Sequence, residues 1–120
     1  MLFRSRTLIE AGIPIAIGSD ATDSSMGAMN PYLNIMFAAI HPVRPTEAIT
    51  REQAVEAYTR GSAYAEFGEK KKGTIETGKQ ADVTVLSQDI FTIPFGELPE
   101  TRSILTIVDG KVVYDAKVLK

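Results

Sequence analysis

The chain has 120 residues, enough for one modest hydrophobic core and too few for two average domains. Apolar residues make up 44%, charged residues 23%, and the formal net charge is -2, the balance of a globular protein without disordered or collagen-like bias. Thirteen basic against fifteen acidic residues leave no electrostatic footprint for nucleic acid or anionic lipid, so neither nucleic acid nor membrane is expected as a partner.

With no cysteine, disulfides, thiolate metal sites and thiol catalysis are excluded. Only one histidine, His41, is present, so a site needing two or three imidazoles cannot be built from one copy. The basic N-terminus is not followed by a stretch of signal-peptide length, and the runs Ile13 to Ile17 and Met36 to Ile40 fall far short of the roughly 20 residues that span a bilayer. A soluble, cytoplasmic chain is the expectation.

In chain order, Leu2, Phe3, Leu8, Ile9 and Ala11 alternate with Arg4, Arg6 and Glu10, which predicts a short amphipathic helix ended by Gly12 in a left-handed conformation. Ile13-Pro14-Ile15-Ala16-Ile17 is apolar on both faces and reads as a strand buried on two sides, as in a parallel sheet covered by helices. Gly18-Ser19-Asp20 closes it, and Ala21 to Met29 is a polar loop at its C-terminal edge. Asn30 and Pro31 supply a cap and first turn for a helix with Leu33, Met36, Phe37 and Ile40 on its apolar face, stopped by His41-Pro42.

Thr50-Arg51-Glu52-Gln53 has the form of a capping box and opens a second helix. Gly61 is expected to break it, with one or two further turns from Ser62 to Phe67, and Tyr58, Tyr64 and Phe67 are spaced for a core-facing stripe. The charged link Glu69 to Lys72 marks a change of character. Residues 1–68 form one segment, and residues 69–120 form a β-rich one. Ala81 to Leu86, Ile104 to Val108 and Lys111 to Tyr114 are strands, the last two joined by Asp109-Gly110, a strong hairpin signal. Asp89 to Arg102, with Pro94, Gly96 and Pro99, reads as connection.

Asp20 is the leading candidate for chemistry. A carboxylate directly after a doubly buried strand stands where α/β sheets and barrels hold ligands, and it could bind a metal or take a proton from metal-bound water. The alternative is that Asp20 caps a turn while Gly18 serves packing. Asp23, Ser24 and Ser25 on the same loop could touch a substrate or simply be solvated. His41 follows a helix C-terminus, where an imidazolium is favoured, and reads as a helix stop before a ligand. Lys70 to Lys72 read as a solvated linker, and no GxGxxG, Walker A, GxSxG or HExxH pattern occurs.

Four ordered blocks carry a family resemblance: Ala11 to Asp20; Ile49 to Ala54 with Ala57-Tyr58-Thr59; Gly73 to Asp82 with Val85-Leu86; and Val108 to Tyr114. Together the blocks resemble the C-terminal part of the amidohydrolase superfamily, in the branch of metal-dependent hydrolases that includes N-substituted formamide deformylase-like proteins. The resemblance implies an α/β parent fold, with Ile13 to Asp20 the last strand of a (β/α)8 barrel, helices after it, and Gly73 onward in a small β-sandwich. The isolated chain would look α+β. Asp20 would be the catalytic and metal-binding aspartate, the cofactor a divalent ion such as zinc, and the substrate a small molecule with an amide-type C–N bond.

The family's histidine ligands have no counterpart here, and one aspartate cannot hold a zinc that takes about three protein ligands. The resemblance therefore implies a C-terminal fragment, inactive alone and needing the N-terminal barrel portion, with no cofactor held by the isolated chain. A different class of function is a non-catalytic remnant that self-associates as a homo-oligomer to cover its apolar strand. A small binding module, resting only on the loop Ala21 to Met29, is the third.

Overall fold

The computed structural model describes residues 4–19 and 29–119. Helix α1, Ser5–Glu10, ends at Ala11 and turns through Gly12, whose φ of 73° lies in the left-handed region. There the Gly12 and Ile13 N–H groups donate to the carbonyls of Ile9 and Leu8, at 2.9 and 3.0 Å, and reverse the chain as the sequence predicts.

The segment after Gly12 departs from expectation. Ile13 to Ile17 is extended but belongs to no strand among the described residues. Ile17 is buried and Ile15 half-buried, whereas Ile13 on the same side is 48% exposed, so burial falls off toward the start of the segment. The reason is geometric. A doubly buried strand needs neighbours along its edges and a layer on each face, and among the described residues no strand pairs with this segment. It is tied to the helices at Ile17, whose N–H donates to the Ala57 carbonyl at 3.2 Å.

Helix α2, Pro31–Ile40, begins at Asn30, whose Oδ1 accepts from the N–H groups of Tyr32 and Leu33 at 3.0 and 3.2 Å. Its buried residue is Ile35, while Phe37 and Ile40 are exposed. The expected stripe was wrong about which side faces inward, because the helix is apolar nearly all round and periodicity picks no face.

A 3-10 turn, Pro45–Glu47, leads to helix α3, Arg51–Glu56. The capping box forms in both directions: the Thr50 hydroxyl accepts from the Gln53 N–H at 3.1 Å, and Gln53 Oε1 accepts from the Thr50 N–H at 2.9 Å. Gly61 does not break this helix. The chain widens into a π-turn over Ala57–Gly61 and continues as α4, Ser62–Ala65. The wider turn shifts the helical register, so Ala63 is buried, whereas Tyr64 and Phe67 are exposed instead of joining Tyr58 on one face. Ile17, Ile35, Ile49, Ala54 and Ala57 form the core of this half, with Ile9, Ile15 and Tyr58 against it.

Three antiparallel strands follow in the order β1 (Val83–Leu86), β2 (Ser103–Val108), β3 (Lys111–Asp115). The β2–β3 turn has positive φ at both Asp109 and Gly110, and Asp82 Oδ1 fixes it by accepting from the Asp109 N–H at 2.8 Å. The connection before β2 is more structured than its composition suggests. It holds a 3-10 helix, Phe95–Glu100, and two buried apolar side chains, Ile90 and the fully enclosed Leu98. Side chains tie it to the helical half: Asn30 Nδ2 donates to the Pro99 carbonyl at 3.0 Å, Arg51 Nη1 to the Ile90 carbonyl at 3.0 Å, and the Arg51 guanidinium lies 4.1 Å from the Phe95 ring centre. Helices followed by an antiparallel sheet make the described chain α+β. Among the described residues no helix is long and apolar enough to cross a membrane.

Candidate functional site

The extended segment reaches the end of the core at Ile17, whose two backbone polar groups are both engaged. Its N–H donates to Ala57 O, and its carbonyl lies 3.3 Å from the Ser62 hydroxyl. The Ala57 carbonyl that receives this bond stands at the start of the π-turn, and the Ser62 hydroxyl is 3.1 Å from that same oxygen. From this anchored point Gly18 and Ser19 run outward along a cavity of about 330 Å³ bounded by α2.

Asn34, Phe37, Ala38 and His41 line the opposite wall. Ser19 is thus brought together with two polar side chains distant in sequence. Asn34 was missed from the sequence, though a lone amide amid Tyr32, Leu33, Ile35, Met36 and Phe37 is a visible irregularity in an apolar helix. His41 does more than stop the helix. It adopts the left-handed conformation at the C-cap with φ of 41°, is 5% exposed, and its Nδ1 accepts from the Arg44 N–H at 3.0 Å.

Tyr58, half-buried behind this wall, has its phenol pushed above the usual value by burial, with Asn34 offsetting part of the effect. Asp20, the candidate catalytic and metal-binding residue, directly follows Ser19 and lies outside the described residues, as do Asp23, Ser24 and Ser25.

A resident metal can be tested against the donor set. Among the described residues no three His, Asp or Glu side chains come together as ligands, and the whole sequence holds one histidine and no cysteine. These residues do not fit a metal by themselves. A second cavity, of about 580 Å³, lies between Gly12 to Ile15 and the α3–α4 helix, rimmed by Gln53, Arg60 and Tyr64. Arg60 is already paired with Glu56 at 2.8 Å, and the cavity abuts the start of the extended segment, away from the Ser19 end.

Comparison with known proteins agrees with this architecture. An N-substituted formamide deformylase of Arthrobacter pascens is 33% identical over 121 residues, covering 95% of this chain and 22% of that protein. An imidazolonepropionase of Thermoplasma volcanium is 30% identical over 115 residues, covering 92% of this chain and 26% of its own length. The chain therefore spans about a quarter of the curated relatives it matches. Among solved structures, an amidohydrolase from Thermotoga maritima MSB8 superposes with a TM-score of 0.51 at 20% identity, over 92% of this chain and 34% of that one, a likeness of fold. The model of the amidohydrolase family matches residues 1–114, and the chain belongs to that family.

Proposed function

We propose that this chain is the closing part of a metal-dependent hydrolase that cleaves amide-type C–N bonds of small molecules, and that it is inactive alone. In this reading residues 1–68 complete a (β/α)8 barrel, with Ile13 to Asp20 as its last strand, and residues 69–120 belong to a β-sandwich beside it. Asp20 is the one catalytic carboxylate the chain contributes, to a divalent ion, zinc by the chemistry of the family, whose other ligands come from further polypeptide.

The observation that carries the reading is the placement of Gly18 and Ser19: the chain leaves a fixed Ile17 along a cavity edged by Asn34 and His41, immediately before Asp20, in a member of this family. Further support comes from what is left uncovered. Ile13 is 48% exposed on a segment apolar on both sides, and Val112 and Val113 are exposed on the edge strand β3. Surfaces of this kind are normally covered by more protein.

The test is complementation. The chain is co-purified with the portion of the Arthrobacter pascens relative that precedes the matched region, then assayed for bound metal and for hydrolysis of an N-substituted formamide. Metal and turnover are expected only in the mixture, and Asp20→Asn should abolish turnover. Absence of metal in every pairing, or full activity in Asp20→Asn, would refute the proposal. The same exposed residues favour a second reading, a non-catalytic module that self-associates. A stable homodimer by light scattering that excludes the complementing portion would establish that reading instead.

A further inference from the structure

The two most exposed large apolar side chains among the described residues are Phe67 and Ile75, at 93% and 87%. Both are held by one buried alanine. At the end of α4 the Gly68 N–H donates to the Ala63 carbonyl at 2.7 Å and the Phe67 N–H to the Tyr64 carbonyl at 3.0 Å, the paired bonds of a Schellman helix end. Ile75 follows Gly73, which packs so closely on that helix that a methyl group built on it would stand 2.6 Å from the Ala63 Cβ and 3.1 Å from the Arg60 Cα. Each of the two side chains is within two residues of a fixed contact with Ala63, so they rise from the same region of the surface.

Exposure at Phe67 comes with strain. The residue after a Schellman end takes the left-handed conformation, which is why glycine usually stands there, yet here a bulky side chain holds φ of 59°. The ring recovers none of that cost inside the described fold, because it stands almost wholly in solvent. The flanking charges, Glu66 and Lys72, pair with each other at 2.8 Å, so what the patch offers a partner is apolar.

We propose that Phe67 and Ile75 form a docking knob that seats in an apolar socket on the polypeptide preceding the matched region in longer members of the family. This rests on the reading of the chain as one part of a hydrolase and names where the other part holds it. Size selects this occupant over a second copy: the two side chains together bury roughly 400 Å², about half of the roughly 800 Å² per partner that a stable contact between separate copies takes. The chain spans 22% and 26% of two relatives, so within such a protein the knob is one patch of a larger contact.

The test measures, by titration calorimetry without metal or substrate, how tightly the chain binds the complementing portion of the Arthrobacter pascens relative, beside the urea midpoint and sedimentation of the chain alone. Phe67→Gly removes knob and strain together: binding should weaken tenfold or more while the midpoint of the chain alone stays unchanged or rises. Ile75→Ser should weaken binding by a similar factor, and Phe67→Leu, which keeps an apolar knob, should retain most of it. Phe91→Ser, at an exposed ring beside Ile90, should change binding less than twofold. Unchanged binding in either Phe67→Gly or Ile75→Ser overturns the proposal and leaves the hydrolase reading standing. A lower midpoint in Phe67→Gly also overturns it, because the ring would then serve this chain's own fold. So does a self-associated chain that Phe67→Gly turns monomeric, which would make a second copy the occupant. If the unaltered chain does not bind the complementing portion at all, the hydrolase reading falls and this proposal falls with it.

Discussion

Gly61 lies directly against the backbone of Ile15: a methyl group built on Gly61 would overlap the Ile15 carbonyl oxygen and stand 3.5 Å from the Ala16 Cα. The helix and the extended segment are therefore in backbone contact, and the glycine costs helix propensity to permit it. Gly61→Ala must push the two elements apart and should destabilise the chain by about 1–3 kcal/mol, the cost of overpacking a rigid site. Gly96 is the control, because a methyl group there would meet no heavy atom within 4 Å: Gly96→Ala should stay within about 0.5 kcal/mol. Urea midpoints of the two variants decide the matter, and equal midpoints would refute the contact.

That glycine also marks where sequence reading stops. Features closed within a few residues were legible: the Thr50–Gln53 box, the Asn30–Pro31 helix start, and the Asp109-Gly110 turn are each set by local chemistry. Gly61 looked like a breaker because its partner, Ile15, is far away in the chain, and nothing local announces a π-turn. Ile13 to Ile17 showed its apolar character in sequence but not how many of its faces the described chain would cover. Of the candidate site, Gly18 and Ser19 were readable as the close of an apolar run, though not of the strand expected there, while Asn34 and His41 joined them only through the packing of α2.

Leu98 was hidden for a related reason, lying in a stretch whose prolines and glycine suggested plain connection. It is fully buried within the 3-10 helix Phe95–Glu100. Leu98→Ala should cost about 2–5 kcal/mol, the range for emptying an enclosed leucine site. Chemical denaturation with an unchanged slope and a lower midpoint is the expected result. A loss below the lower bound would mean the surroundings collapse to fill the space.

Arg51 joins the helical half to the connection through two different interactions, a hydrogen bond from Nη1 to the Ile90 carbonyl and the stacking of its guanidinium over Phe95. Lysine keeps the charge but has neither the planar face nor the second set of donors. Arg51→Lys should therefore cost about 0.5–1.5 kcal/mol, and a double-mutant cycle with Phe95→Leu should recover about 0.5–1 kcal/mol of coupling. Strict additivity of the two single variants would remove the stacking from the account.

Glu47 provides the acid-sensitive tie. Its carboxyl accepts from the Thr7 hydroxyl at 2.6 Å and from the Thr7 N–H at 3.0 Å, satisfying a first-turn donor that α1 cannot satisfy itself, since Arg4 offers no side-chain cap. These two bonds hold Glu47 below its usual carboxylate value; partial desolvation opposes them, and the charge of Arg4 helps. A folded value below the unfolded one means the carboxylate stabilises the fold above the ordinary glutamate range, near 4.5, and that this contribution is lost as pH falls through the lowered value. Glu47→Gln should accordingly lower the midpoint of unfolding at neutral pH, and the gap to the original chain should close on acidification while both remain folded. The smaller part of the gap that comes from the Arg4 charge should also shrink in high salt. A gap that widens toward acid would reverse the sign of the linkage and remove Glu47 as the anchor of α1.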